Sequence, residues 1–399
     1  MLKPLRKLQN LDVAGKKILL RVDLNVPLSH GNIIDKTRIT RLLPTLNYLI
    51  ENDAKIIILS HFGRPKGEFI RDMSLAPLVN VLIDLLGGKE VKFALNSIGN
   101  DVKESVDNLQ NGEIILLENL RFHPGEEAND LEFIDHLATL GDYYVNDTFS
   151  CSHRQHASIV GLAEKLPSFA GFLLQEEIEN LEHVLENPNR PIAAIVGGAK
   201  ISSKLKILNN LIEKVDHLFI GGAMANSFLV AKDFNVGKSL YEKDLVTTAK
   251  DIIERAKSAN CEIFIPHDVI VAPKLDRKVS CEVKDVHDID AEDMILDIGP
   301  LSINNICDKL QQIQTVIWNG PFGAFEIPPF NCGTINIARI ISYLTHKNKL
   351  VSIAGGGDIV ASLTESGLSN NFTYLSTAGG AFLEWLEGKD LPGIEILRN

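Results

Sequence analysis

The chain has 399 residues, of which 45% are hydrophobic and 23% are charged, and its net charge at neutral pH is −12. The length is enough for two or three domains, and the composition is that of an ordinary globular protein. Such an acidic chain is unsuited to broad nucleic-acid binding, which uses basic surfaces, but it is compatible with a local basic pocket.

The N-terminal segment and the cysteines indicate a cytoplasmic protein without a membrane partner. Residues 1–17 lack the apolar core and cleavage site of a signal peptide, and no apolar run approaches the ~20 residues of a membrane span. The cysteines are odd in number and scattered, without a C-x-x-C pair. We therefore expect reduced thiols rather than a disulfide framework or a zinc cluster.

Short apolar runs rich in β-branched residues recur along the chain and predict strands. Most of them do not alternate with polar residues, so we expect both faces to be buried, as in parallel sheets covered by helices. The clearest runs are 16–25, 54–63, 113–122, 143–149, 191–200, 217–225, 261–272, 315–325, 349–358 and 372–381.

Amphipathic helical patterns lie between these runs. Residues 37–52 place apolar side chains on one face, with a kink expected at Pro44, and residues 202–215 and 245–259 have similar patterns. Alternating strands and helices predict an α/β fold with parallel sheets. Because ten or more strands exceed one domain of the usual size, we expect two sheets.

The boundary between the two blocks is predicted within residues 171–191. Ile178, Leu181, Val184 and Leu185 form one apolar stripe of a helix there, and Asn187–Pro188 ends it. A single amphipathic helix between two α/β blocks is typical of a connector between domains.

Polar side chains collect where the strands of the first block end. Ligands of parallel sheets bind outside the carboxyl ends of the strands. Arg38 and Arg41 lie in the first turn of a predicted helix, where the macrodipole disfavours cations unless an anion is bound. Any one arginine could be a solvated surface residue, but the joint pattern predicts a pocket for a small, multiply charged anion. The strand-end residues are Arg21, Asp23, Asn25, Ser60, His61, Gly63, Arg64, Glu118, Asn119, Arg121, Asn146, Asp147, His153, Arg154 and His156.

The strand ends of the second block are rich in glycine. Glycine lets backbone N–H groups approach phosphates at helix N-termini, so these turns together predict a nucleotide site. The stretch AAIVGGAKISSK (193–204) has neither P-loop nor dinucleotide spacing. Lys200 and Lys204 are expected in the first turns of the following helix, where phosphate would compensate the dipole. The glycine-rich turns are Gly197–Gly198, Gly221–Gly222, Asn319–Gly323, Gly355–Asp358 and Ala378–Gly380.

Two acidic residues of the second block each have two interpretations. Asp358, in a predicted first helical turn, is either a capping carboxylate or a magnesium ligand. Glu326 is either a surface acid or a hydrogen-bond acceptor for a ribose.

The two blocks together favour phosphoryl transfer between an acidic metabolite and a nucleotide, achieved by positioning and charge neutralisation. Two alternatives fit less well. A nicotinamide-dependent dehydrogenase would need the missing G-x-G-x-x-G spacing. A two-lobed anion-binding protein of the periplasmic kind would need a signal peptide and only one kind of ligand.

Motifs spread over essentially the whole chain resemble the phosphoglycerate kinase family. The resemblance implies the reaction ATP + 3-phosphoglycerate ⇌ ADP + 1,3-bisphosphoglycerate, with Mg2+, in glycolysis. It also implies a monomer of two Rossmann-like lobes, each a parallel sheet flanked by helices, joined by a hinge helix. The motifs are RVDLNVP (21–27), DKTRI (35–39), SHFGRP (60–65), ENLRF (118–122), SHRQHAS (152–158), GGAKISSK (197–204), GGAMANSF (221–228), WNGPFGAFE (318–326), GGGDIVA (355–361) and STAGGAFLEWLEGK (376–389).

The matching positions imply roles for individual residues. Arg38, Lys200 and backbone N–H groups around Gly356 and Gly379 would stabilise the transferring phosphoryl group, and Asp358 would lie near magnesium. The residues implied for phosphoglycerate are Asp23, Asn25, Arg38, His61, Arg64, Arg121 and Arg154. Those implied for the nucleotide are Gly197, Lys200, Lys204, Gly221, Asn319, Pro321, Glu326, Gly356, Gly357, Asp358 and Ile359.

The resemblance also implies domain limits. We expect a phosphoglycerate-binding domain at 1–172, an interdomain helix at 173–188, a nucleotide-binding domain at 189–385 and a C-terminal tail, 386–399, that returns to the first domain. Departures from the family pattern are modest. Ser150–Cys151–Ser152 replace the more usual glycine-threonine-alanine. Ala378 replaces a glycine and would be strained if this position required a positive φ.

Overall fold

The computed structural model describes residues 3–29 and 32–398. Met1, Leu2 and Asn399, at the outer ends of the predicted first domain and tail, lie outside the described residues. The chain divides into two compact units: unit 1 comprises 1–179 and 390–399, and unit 2 comprises 180–389.

Unit 1 is built around a six-stranded parallel sheet in the order β5–β6–β4–β1–β7–β8, and β2 and β3 form a separate two-stranded antiparallel sheet. The last helix of its first segment, α8, runs across the division into unit 2. Its elements in chain order are β1 (Lys17–Arg21), β2 (Leu28–Ser29), β3 (Asn32–Ile33), α1 (Thr37–Thr40), α2 (Leu43–Glu51), β4 (Lys55–Leu59), α3 (Leu78–Leu85), β5 (Val91–Ala94), α4 (Asn100–Asp107), β6 (Ile114–Leu117), α5 (Pro124–Ala128), α6 (Leu131–Ala138), β7 (Tyr143–Asn146), α7 (Leu162–Lys165), β8 (Ser168–Ala170) and α8 (Phe172–Leu185).

Both faces of this sheet are buried, as the non-alternating runs predict. Leu19 pairs in register with Ile57, and Ile57 with Ile115, in a core with the helices on one face. The neighbouring residues of the same strands, such as Ile18 and Ile56, join the core on the other face. Because successive strand residues point to opposite faces, each strand needs an apolar residue at every position.

Unit 2 contains a second six-stranded parallel sheet, β11–β10–β9–β15–β16–β17, and a three-stranded antiparallel sheet, β13–β12–β14, that the sequence did not predict. The run 261–272 is two strands in different sheets, because Pro266 between them lacks the N–H that a continuous ladder needs. Its elements are β9 (Ile192–Val196), α9 (Leu205–Ile212), β10 (His217–Ile220), α10 (Met224–Ala231), α11 (Val246–Ser258), β11 (Glu262–Phe264), β12 (Asp268–Ala272), β13 (Glu282–Asp285), β14 (Met294–Ile298), α12 (Pro300–Leu310), β15 (Thr315–Asn319), α13 (Cys332–His346), β16 (Val351–Gly355), α14 (Gly357–Glu365), β17 (Tyr374–Ser376) and α15 (Gly380–Leu386), followed in unit 1 by α16 (Pro392–Glu395).

Two predicted helices differ from the structure in where they begin or end. The pattern 37–52 is not one kinked helix: α1 ends at Thr40, and Pro44 lies in the first turn of α2. Proline has no N–H to donate but fits a first turn, so the chain restarts a helix there. The pattern 202–215 begins late, since α9 starts at Leu205.

The connector pattern forms α8, and all four residues of its apolar stripe are buried. Across residues 3–29 and 32–398, no helix combines the length and the apolar composition that a membrane crossing requires.

Candidate active site

The predicted anion-binding residues lie at the carboxyl ends of the unit 1 strands. The chain leaves β1 for β4 on one side of the sheet and later adds β7 on the other side. Such a reversal of strand order opens a crevice in which α/β proteins bind ligands. Asp23 and Asn25 follow β1, His61 and Arg64 follow β4, Arg121 follows β6, and Arg154 follows β7.

Arg38 on α1 is held by residues that follow β1. Its Nη1 lies 3.1 Å from Asp23 Oδ2 and donates to the carbonyl of Asn25 at 2.8 Å. Arg38 lies in the first turn of a helix as predicted, but α1 has only four residues and therefore a small dipole, which gives little support to the helix argument for a bound anion. The ion pair with Asp23 explains the position of Arg38.

The loop after β4 forms hydrogen bonds with two of the other predicted residues, Asn25 and Arg121. Asn25 Oδ1 accepts a hydrogen bond from the N–H of Gly63 at 3.0 Å, and Arg121 Nη1 donates to the Gly63 carbonyl at 2.7 Å. Gly63 has a φ of +61° and lies against Met73, so a side chain would not fit there. These contacts bring Asn25 and Arg121 to one loop, while Arg64 and Arg154 are exposed in the loops after β4 and β7.

His61 has a defined proton position because of Arg21. Arg21 Nη2 lies 3.1 Å from His61 Nδ1, and a guanidinium only donates, so Nδ1 accepts and the proton of the neutral ring is on Nε2. Burial and the charge of Arg21 lower the pKa of His61 well below its usual value. His61 is therefore a neutral donor through Nε2–H.

A cavity of about 640 Å3 lies in unit 2. Gly198, Gly222 and Pro321 contribute to its wall near the strand ends, and Leu240 and Phe325 add apolar surface. Glu326 and Asp358 also line it. The volume is in the range of small-molecule sites, and the mixture of apolar wall and few polar groups is typical of them.

Glycines allow the loops beside this cavity to cross closely. A Cβ on Gly197 would lie 1.9 Å from the carbonyl oxygen of Pro321, and one on Gly222 would lie 2.4 Å from the carbonyl oxygen of Gly198. Gly221 is packed as tightly against Phe322. The predicted glycine pairs after β9 and β10 therefore serve backbone packing, which in turn leaves room for the cavity.

Lys204 is tied to the end of β15. Its Nζ donates to Asn319 Oδ1, and Asn319 Nδ2 donates to the carbonyl of Gly355 at 2.6 Å. Burial lowers the pKa of Lys204, although Asp358 and Glu387 oppose this shift. The side chains thus link the start of α9 to the ends of β15 and β16.

Lys200 occupies a different position from the predicted one. Lys204 is the N-cap of α9, whereas Lys200 is exposed in the preceding turn, where its carbonyl accepts from the Ser203 hydroxyl at 2.8 Å. Glu242 accepts from both the N–H and the hydroxyl of Ser202 and holds this turn outside the helix. The dipole argument therefore applies to Lys204 and not to Lys200.

The last two glycine turns begin helices. Gly356, with φ +106°, caps α14, so Gly357 and Asp358 lie in its first turn, and Gly379, with φ +56°, caps α15. Ile359 is fully buried. Ala378 has no positive φ and carries no strain of the expected kind.

The described residues, 3–29 and 32–398, contain no group of three or more His, Cys, Asp or Glu side chains that could hold a metal ion. Asp358 lines the cavity but belongs to no such group. Magnesium is commonly held by one or two carboxylates together with the phosphates of its substrate, so this donor set fits a nucleotide-bound magnesium ion and no independent metal centre.

Comparison with known proteins decides the family. The family model for phosphoglycerate kinase matches residues 8–389. The chain belongs to the phosphoglycerate kinase family. Its relatives include the phosphoglycerate kinase of Xanthobacter flavus, 51% identical over 97% of each chain, and that of Azorhizobium caulinodans, 51% identical over 98% of this chain and 99% of the relative.

Solved structures agree with this membership. Phosphoglycerate kinase from Coxiella burnetii is 39% identical, covers 99% of both chains and has a TM-score of 0.91. The enzyme from Pyrococcus horikoshii OT3 is 31% identical, covers 98% of both chains and has a TM-score of 0.82. The protein is thus a phosphotransferase of glycolysis that phosphorylates the carboxyl group of 3-phosphoglycerate, as its motifs predicted.

Some residues near the phosphoglycerate kinase motifs were not identified from the sequence. Ser150 contacts Asp23, and Leu240 and Phe325 line the cavity. Ser150 was noted only as a departure from the family pattern. The apolar residues carry no local signal, since many leucines and phenylalanines serve only the core.

Proposed function

We propose that unit 1 binds 3-phosphoglycerate at the Asp23–Arg38 cluster and that unit 2 binds ATP with Mg2+ in the 640 Å3 cavity. The observation that carries this proposal is that Arg38 of α1 clusters with four residues from the carboxyl ends of one parallel sheet, Asp23, Asn25, His61 and Arg121.

The anion site suits the chemistry of phosphoglycerate. Ionised 3-phosphoglycerate carries a phosphate, a carboxylate and one hydroxyl, and the hydroxyl is its only hydrogen-bond donor. Asp23 only accepts when ionised, so it binds the hydroxyl, together with Asn25. Arginine forks match the two anionic groups, and neutral His61 adds an Nε2–H donor. The arginines of this set are Arg38, Arg64, Arg121 and Arg154.

The cavity suits a nucleotide with its phosphates near the helix starts. Glu326 at the wall accepts hydrogen bonds from ribose hydroxyls. The turns that contain Gly197, Gly221 and Pro321 bring Gly198, Gly222 and Pro321 to the wall, where they offer backbone surface to the base. Backbone N–H groups at the start of α14 favour phosphate oxygens. The residues proposed for the phosphates are Lys200, Lys204, Asn319, Gly356, Gly357, Asp358 and Ile359.

We propose a direct in-line transfer. A carboxylate oxygen of 3-phosphoglycerate forms a bond to the γ-phosphorus as the bond from that phosphorus to the β-phosphate oxygen breaks, and ADP leaves with the electron pair. No general base is needed, because the attacking carboxylate is already ionised. Arg38, Lys200 and the backbone N–H groups near Gly356 and Gly379 bind the charge on the transferring group.

Asp358 is the protein residue that would hold magnesium with the nucleotide phosphates. When bound, the ion supplies charge neutralisation on the phosphate oxygens.

The remaining proposals concern the whole chain. We propose a cytoplasmic monomer with the domain limits given above, in which α8 forms part of the hinge. The apolar stripe of α8 is buried, which suits a connector that transmits motion as a rigid element.

Two substitutions test the roles of Arg38 and Lys200. In a coupled assay of ATP formation from 1,3-bisphosphoglycerate, we expect Arg38→Ala and Lys200→Ala each to lower kcat by about 100-fold or more, the effect of removing a donor to a transferring charged group. For Arg38→Ala, the Kd for ADP should stay within about twofold of wild type, since Arg38 lies in unit 1.

Matched controls are available for both substitutions. Arg71→Ala and Lys206→Ala remove exposed cations outside the proposed site and should leave kcat unchanged. Near-normal turnover of Arg38→Ala would contradict its role. For Lys200, a change confined to the KM for phosphoglycerate would mean that the residue is wrongly assigned.

A further inference from the structure

We propose that Ser150 is a positioning residue that holds the Asp23 carboxylate ready to accept the hydroxyl of phosphoglycerate. This inference rests on the proposed function, because it assumes that Asp23 contacts the substrate. The family motifs implied no role for Ser150.

The contact is a short hydrogen bond between two loops of unit 1. Ser150 Oγ, in the loop after β7, lies 2.6 Å from Asp23 Oδ2, in the loop after β1. The same loop carries Thr148, whose Oγ1 lies 3.1 Å from Ser150 Oγ. The three side chains therefore form one row that ends on the carboxylate.

Chemistry determines the direction of the hydrogen bonds in this row. An ionised carboxylate only accepts, so Ser150 donates to Asp23, and the Ser150 oxygen is then free to accept from Thr148. Burial raises the pKa of Asp23, whereas the neighbouring His61, the charge of Arg38 and the hydrogen bond from Ser150 lower it, and the pKa lies below its usual value. Because a hydroxyl that accepts becomes a better donor, Thr148 strengthens the bond from Ser150.

The acceptor capacity of Asp23 leaves room for one more donor. Asp23 Oδ1 accepts from the Asn25 N–H at 3.0 Å, and Oδ2 accepts from Ser150 and Arg38. A carboxylate offers about four acceptor sites, so one is left for the substrate hydroxyl.

Ser150 differs from Arg38 as a partner of Asp23. We propose above that Arg38 binds the transferring phosphoryl group, and Arg38 is a long side chain that is a third exposed. Ser150 has a short side chain, so it holds Oδ2 in one orientation when Arg38 turns to the phosphoryl group. Asp23 is only 8% exposed. If it lost the hydrogen bonds from both Arg38 and Ser150, the buried charge would raise the free energy of the folded state.

The test compares Ser150→Ala with wild type in steady-state kinetics. We expect the KM for 3-phosphoglycerate to rise about tenfold, as loss of a hydrogen bond to a charged group predicts, while the KM for ATP and kcat change less than about threefold. The acid limb of kcat/KM for phosphoglycerate should move to higher pH, because Asp23 loses a donor that lowers its pKa.

Three further variants separate positioning from a general structural effect. Thr148→Val removes the outer hydroxyl of the row and should show a smaller rise in the same KM. Ser150→Thr keeps the hydroxyl at a partly exposed position and should restore the wild-type KM. Ser105→Ala removes an exposed hydroxyl from α4 and should change nothing.

The outcomes distinguish this inference from the proposed function. If wild type shows no phosphoglycerate-dependent turnover, the proposed function fails. If wild type is active and Asp23→Ala raises the KM but Ser150→Ala and Thr148→Val do not, the role of Ser150 is overturned and the proposed function stands. An equal rise in the KM for ATP, or an unmoved acid limb, would also overturn it.

Discussion

Asp297, at the end of β14, is a buried carboxylate that links three parts of unit 2. Its oxygens accept from the N–H groups of Ile298 at 2.9 Å and Gly333 at 2.8 Å, which joins β14 to the start of α13. A Cβ on Gly323 would lie 2.4 Å from Asp297 Oδ1, so the loop after β15 also packs against it. Burial raises the pKa of Asp297 to about 7, because the backbone hydrogen bonds offset only part of the cost of burying the charged carboxylate.

This pKa predicts a pH dependence of stability. Since the folded pKa exceeds the ordinary value of 3.8, the folded state binds more protons than the unfolded state between those values, and the contribution of Asp297 is lost as pH rises through about 7. We therefore expect wild type to gain stability relative to Asp297→Asn when the pH is lowered from 8 to 5. The difference in thermal midpoint, wild type minus variant, should be more positive at pH 5 than at pH 8.

The measurement is thermal unfolding followed by circular dichroism at both pH values. Asp12→Asn changes an exposed aspartate in the same way and provides the baseline. A difference between wild type and Asp297→Asn that is flat from pH 5 to pH 8 would contradict the raised pKa.

At the scale of elements, the start of α8 depends on two side chains from elsewhere in unit 1. Asp147 Oδ1, after β7, accepts from the N–H of Leu174 at 3.0 Å, and Thr45 Oγ1, on α2, accepts from the N–H of Phe172 at the same distance. These contacts satisfy donors that a helix start leaves open. They also attach α8 to the loop that carries Thr148 and Ser150.

We expect Asp147→Ala to uncouple α8 from this loop. Loss of the capping carboxylate should cost about 1–2 kcal/mol of stability, and if α8 is part of the hinge, kcat should fall several-fold as well. Steady-state kinetics and thermal unfolding of the same samples measure the two effects.

Asp130→Ala is the matched control for this prediction. Asp130 caps α6 through the N–H of Phe133 at 3.0 Å, so its loss should also lower stability, but without a change in kcat. Equal kcat values for the two variants would argue against a hinge role for the start of α8.

At the scale of the whole molecule, the proposed sites lie in separate units. A phosphoryl group can transfer only when the two ligands meet and water is excluded. We therefore expect the radius of gyration to decrease when 3-phosphoglycerate and a non-hydrolysable ATP analogue bind together, and to decrease less with either ligand alone.

Small-angle X-ray scattering measures this change directly. Arg38→Ala is the informative comparison, because it should bind the nucleotide analogue and still show a smaller decrease with both ligands. An identical radius of gyration in all ligand states of wild type would contradict closure about the proposed hinge.

Much of the fold could be predicted from local pattern. Strands such as β1, β4, β9 and β15 are buried on both faces, so their apolar residues form unbroken runs that the sequence displays. Several strands were not predicted, among them β5, β8, β13 and β14; β8 has only three residues, and β13 is mostly exposed and polar. Both β8 and β13 are edge strands, and such segments become strands because they form hydrogen bonds with a neighbouring strand, not because of their amino-acid composition.

The amino-acid sequence by itself determined the α/β class, the two parallel sheets, the family and the reaction, because buried strands and ligand loops both leave their pattern within a few consecutive residues. The tertiary structure decided which partners hold each functional side chain. Arg38 pairs with Asp23, Lys204 with Asn319, and Ser150 with Asp23, across separations of 15, 115 and 127 residues. Contacts between residues so distant depend on how strands are ordered in the sheet, and local pattern carries no information about that order.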